Sequence, residues 1–142
     1  MRWLILFGGL ASIIIGIRGW SEHRQWSSSA DKTGLLYTIS LDIQLLLGLL
    51  LYVVFSPVTT RHFSDFGAAM GNSTVRFFLV EHLALIILAL VLAHIGRARV
   101  GKAEDPVSKY KNATIFYGIS LVLVLIAIPW PFFSYGRPLL PF

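Results

Sequence analysis

Four ionisable side chains sit inside apolar runs of this chain, and they set the chemistry it could perform. Glu81, His82 and His94 lie in VRFFLVEHLALIILALVLAHIGRAR, Val75 to Arg99. Asp42 opens DIQLLLGLLLYVVF, with Gln44 two residues on. A carboxylate or imidazole is costly in lipid, so such groups face a protein interior, a partner or a cofactor. Carboxylates there suit proton handling, and imidazoles suit haem iron. No nucleophile and base converge at any recognisable spacing, so hydrolytic catalysis has no support. No HxxxH or HExxH occurs, which leaves no metal-site signature. Cysteine is absent, which removes disulfides, c-type haem attachment, cysteine-ligated clusters and thiol catalysis.

The histidines limit where a haem could sit. His82 and His94 are twelve residues apart, about 120° around a helix and roughly 18 Å along it. A haem b near each surface would need a second imidazole, His62 for His82 and His23 for His94. Both second histidines fall in loops, whereas rigid b-type ligation normally runs from helix to helix. Glu81 diverges from His82 by about 100°, and its expected partners are Arg2, Arg61 or another subunit. Asp42 lies roughly 14 Å from one end of its span, at the depth of Ser12 and Ser120. Asp42, Gln44 and Glu81 are therefore expected as buried polar groups. Asp42 and Gln44 point to opposite faces; Gln44 shares its stripe with Tyr37, Ser40 and Gly48.

The elements that position these groups are membrane spans. Of 142 residues, 56% are hydrophobic and 13% charged, about half the charged fraction of a soluble domain; the mean hydropathy is +0.72. Apolar runs predict four helices, about 3–20, 33–55, 76–97 and 113–133, in a single domain. The twenty residues between Arg76 and Arg97 make a helix about 30 Å long, the thickness of a hydrocarbon core. Trp3 and Trp20 bracket the first run as interfacial anchors, which favours a retained helix over a signal peptide. Gly8, Ser12 and Gly16 share one face of it, a packing seam for a neighbouring helix. Pro129 and Pro131 end the last run.

Short connections between four spans predict an all-α, up-down-up-down bundle with both termini on one side. Loops 18–32 and 97–111 then share the other side with eight basic residues, against four (Arg2, Arg61, Arg76 and Arg137) on the side of the termini. This places both termini on the non-cytoplasmic side of a cell inner membrane. Basic residues at the ends of apolar runs explain the net charge of +5 without nucleic acid.

Three blocks, DIQLLLGLLLYVVFSP, RFFLVEH…LAHIGRAR and YGISLVLVLIAIPWPF, resemble a family of short four-span bacterial membrane proteins labelled "cytochrome b". The most specific pieces are Val80–His82 and Ile128–Phe132. Members of that family carry histidine where this chain has Asp42, and another before the Arg-Trp pair matched by Arg2–Trp3. If those histidines serve a haem, the resemblance implies that this chain has lost ligands and is a structural derivative. The expectation is a non-catalytic accessory subunit of a bacterial quinol-oxidising electron-transfer complex, respiratory or photosynthetic, with alternative complex III as one host by analogy. Its partners are other integral-membrane subunits and lipid, with quinone nearby. Two alternatives stand beside it: a small b-type cytochrome or quinone-reactive redox protein, and a proton-handling or transport protein resting on Asp42 and Glu81.

Overall fold

Hydropathy marks where a chain meets lipid, whereas caps mark where a helix begins and ends. The two differ here, as a computed structural model describing residues 2–55 and 66–132 shows. Helix α1 is Arg2–Ser21 and α2 is Ser28–Leu50, the latter continued by a π-helical turn, Leu51–Phe55. Two short helices follow, α3 (Phe66–Met70) and α4 (Ser73–Arg76). A second π-helical turn, Phe77–Glu81, leads directly into α5 (His82–Lys102), and α6 is Pro106–Ala127. Among the described residues, four helices are long and apolar enough to cross a membrane: Arg2–Ser21, Ser28–Val54, His82–Lys102 and Pro106–Ala127. No strand occurs among the described residues.

The helices overrun the apolar runs at the polar end. Helix α2 begins at Ser28 rather than Thr33, because the Ser27 hydroxyl accepts from the Ala30 amide and Asp31 sits in the first turn. Both features favour a helix N-terminus. Helix α6 begins at Pro106 rather than Ala113. Asp105 caps it through a 3.1 Å bond from the Ser108 amide, and proline occupies the first turn, where it costs no hydrogen bond. Between Lys102 and Pro106 only a tight connection remains.

Small residues let the helices close. Gly8, Gly9, Ser12, Gly16 and Gly19 are buried along α1, as the seam predicts. A β-carbon on Gly9 would lie 2.9 Å from the Tyr37 ring, and one on Gly19 would lie 2.4 Å from that of Tyr110. Gly34 and Gly96 take Tyr117 and Phe116 in the same way. Tyr37, Tyr110 and Tyr117 are the largest fully buried side chains. Tyrosine rings thus fill glycine faces, and their hydroxyls must find partners. Tyr37 donates to the Ser120 hydroxyl (2.8 Å), which donates in turn to the Ala89 carbonyl (2.7 Å). This relay ties α2, α5 and α6 at the centre. Tyr110 donates to the Gln25 carbonyl and tilts against Trp26, 4.9 Å between centroids. The Ser12 hydroxyl is buried with no hydrogen-bond partner among the described residues.

Helix α6 packs along α1 and α5, and α1 packs along α2. The α2–α5 seam is the loosest of the lateral pairings and is bridged by polar groups rather than by interlocking small residues.

Candidate functional site

The seam between α2 and α5 holds the feature that stands apart from packing. His94 donates from Nε2 to Asp42 Oδ1 at 2.8 Å. Asp42 is at the middle of the 27-residue span Ser28–Val54. The two side chains are 50% and 42% exposed. Around them Leu35, Ile39 and Leu46 on α2, and Ile87 and Val91 on α5, are also exposed. A hydrogen-bonded aspartate–histidine couple therefore lies on an apolar outer face at mid-span. Asp42 Oδ2 and His94 Nδ1 make no further bond among the described residues.

Sequence spacing misses this pair because depth read from α-carbons separates the two residues. In a helix, side chains lean toward the N-terminus. Asp42 leans toward Ser28, and His94 leans toward His82. At the end of the same seam, Arg97 donates to the Asp31 carbonyl (3.2 Å) and to its carboxylate (3.3 Å).

Asp42, Gln44 and Glu81, expected as buried polar groups, are each partly exposed in the single chain. Asp42 turns outward because Tyr37, Thr38, Ser40 and Leu41 take the inward face of α2. Gln44 makes no hydrogen bond among the described residues, and its stripe is buried only at Tyr37 and Ser40. Glu81 pairs with Arg76, at 2.9 Å. Residues five apart would lie about 140° from each other on an α-helix. The π-turn Phe77–Glu81 widens the coil and brings them onto one side. Sequence spacing alone does not reveal a π-turn.

His82 is a helix cap. Its Nδ1 donates to the Ala127 carbonyl at 2.7 Å. In an unbroken helix that carbonyl would accept from residue 131, and the Leu125 carbonyl would accept from residue 129. Both positions are proline and carry no N–H. Leu125 is satisfied instead by the Trp130 indole, 2.9 Å away, and Ala127 by His82. The motifs at 80–82 and 128–132 are thus two halves of one capping arrangement. The signal for it was in the sequence: two prolines, each four residues after a carbonyl they cannot serve.

His23 lies in the α1–α2 connection with φ 50°, exposed. His62, the expected partner of His82, lies outside the described residues, as do Arg61 and the proline-rich tail. Among the described residues no three His, Cys, Asp or Glu side chains group as metal ligands. Outside the spans, bonds from the Ser108 hydroxyl and amide hold the Asp105 carboxyl below the usual carboxylate range.

Comparison with protein-family models, curated proteins and solved structures finds no match to this chain.

Proposed function

We propose that this chain is a non-catalytic, multi-pass accessory subunit of a bacterial inner membrane whose α2–α5 seam is covered by another protein surface within the bilayer. One observation carries the reading: the Asp42–His94 couple is half exposed on an apolar face at mid-span. A charged side chain there costs about 2.5–3.5 kcal/mol on insertion scales. Lipid tails offer nothing to the two unused polar atoms of the couple. A neighbouring membrane protein that covers the seam removes both penalties.

In this proposal the bundle runs up-down-up-down, with both termini on the non-cytoplasmic side. Gly9 meets Leu121, Gly16 meets Thr114 and Gly19 meets Tyr110, a descending register that supports antiparallel α1 and α6. His82 with Ala127, Ala89 with Ser120, and Val100 with Lys109 support the same for α5 and α6. The eight-to-four distribution of basic residues supports the orientation. The host, on the resemblance of the three blocks, is a quinol-oxidising electron-transfer complex.

Purification from native membranes in mild detergent tests this. The expected result is co-purification with redox-active integral-membrane subunits. Isolation free of any such subunit in several detergents would overturn it. A reduced-minus-oxidised spectrum of the purified chain is expected to lack a haem α-band. A band abolished by His82→Ala or His94→Ala would establish the b-type cytochrome reading instead.

A further inference from the structure

We infer that the protein covering the α2–α5 seam is a second copy of this chain, held by a closed ring of two aspartates and two histidines. The inference rests on the reading that the seam is protein-covered, and it names what covers it.

Two identical chains inserted in the same orientation can pair about a two-fold axis along the membrane normal. That axis keeps every residue at the same depth in both copies. It also sets the left edge of one seam against the right edge of the other. Helix α2 of one copy then faces α5 of the second, whichever edge is which. Asp42 therefore opposes the second copy's His94, and His94 opposes the second copy's Asp42, with no vertical adjustment.

The chemistry of the couple fits this arrangement. Within one chain, His94 Nε2 donates to Asp42 Oδ1. The atoms left over are one carboxylate oxygen and one imidazole nitrogen, a matched acceptor and donor. With both imidazole nitrogens protonated, each Nδ1–H donates across the axis to the Oδ2 of the facing Asp42. Four hydrogen bonds close the ring. Two imidazolium and two carboxylate charges cancel, so no net charge stays in the membrane core. A foreign helix would need to supply the same acceptor and donor at the same depth; a second copy supplies them by construction.

The surroundings suit such a contact. Leu35, Ile39 and Leu46 share the face of Asp42 at helical spacing along α2, and Ile87 and Val91 share that of His94 on α5. These exposed aliphatics form the apolar surround that excludes lipid and water from a polar centre. Proteins in other complexes surround their binding hot spots in the same way.

The absence of cysteine makes the test clean. Two tagged forms of the full chain, one Ile39→Cys and the other Val91→Cys, are co-expressed, and the membranes are oxidised before any detergent is added. A disulfide between the two tags is expected, and none from Val122→Cys on the outer face of α6. Asp42→Asn is expected to lower the cross-linked yield about tenfold, the scale set by losing two intramembrane hydrogen bonds. The exchange Asp42→His with His94→Asp restores the same ring and is expected to restore the yield. It also serves as the control for a single variant that folds poorly. Cross-links from Ile39→Cys or Val91→Cys only to a different membrane protein would overturn the second copy while leaving the accessory reading intact. No cross-link to any protein would overturn both.

Discussion

Replacing Ser120 with alanine is the sharpest probe of what holds the bundle together. Ser120 is fully buried, and its hydroxyl both accepts from Tyr37 and donates to the Ala89 carbonyl. Alanine removes both bonds. The Ala89 carbonyl retains its place in the helix ladder of α5. The Tyr37 hydroxyl, itself fully buried, is left with no acceptor. Intramembrane side-chain bonds measure about 0.6 kcal/mol on average and reach about 1.7. An unsatisfied buried donor adds about 1–3 kcal/mol in general. Ser120→Ala should therefore cost about 1–3 kcal/mol. Tyr37→Phe should cost less, about 0.5–1 kcal/mol, because Ser120 still donates to Ala89. The double variant should be no worse than Ser120→Ala alone, since no orphaned hydroxyl remains. Reversible unfolding in mixed bicelles or detergent, read by tryptophan fluorescence, measures all three. Strictly additive costs, or a Tyr37→Phe loss larger than that of Ser120→Ala, would refute the relay.

Three further outcomes follow from named contacts. Gly19→Ala should destabilise by about 1–3 kcal/mol, because its β-carbon would sit 2.4 Å from the Tyr110 ring, which is pinned through Gln25; Gly118→Ala, with open space around it, should be neutral in the same unfolding assay. His82→Ala should cost about 1–2 kcal/mol by stranding the Ala127 carbonyl, and adding Pro131→Ala, which returns a backbone N–H, should recover part of that loss. Asp105 titrates lower in the folded chain than in the unfolded one, through its bonds to Ser108. Its contribution is complete above the ordinary carboxylate pKa and fades as the pH falls through its depressed value. Unfolding measured into acid should show that loss in the native chain and a flatter profile in Asp105→Asn.

The membrane spans and the α1 seam were legible because hydropathy and small-residue spacing report directly on lipid contact and close approach. Helix starts were not, because Ser27 and Asp105–Pro106 lie in polar stretches that hydropathy reads as loops. Asp42 with His94 escaped a depth argument built on α-carbons, since the side chains of facing helices lean toward each other by a turn. Arg76 with Glu81 escaped because no spacing rule for α-helices joins residues five apart; a π-turn does. Residue type alone makes His82 a candidate ligand, whereas the prolines at 129 and 131 point to two carbonyls in need of donors.

The His82 cap has a consequence for how sequences of this shape change over time. Histidine at 82 and proline at 131 form one unit, since the imidazole supplies the hydrogen that the proline withholds. A chain that replaces the proline no longer needs the histidine, and a chain that loses the histidine first carries an orphaned carbonyl until the proline follows. The two positions should therefore be gained and lost as a pair, forty-nine residues apart in sequence. A histidine that tracks a proline in this way records a helix end, and its recurrence among relatives is not by itself a sign of a metal.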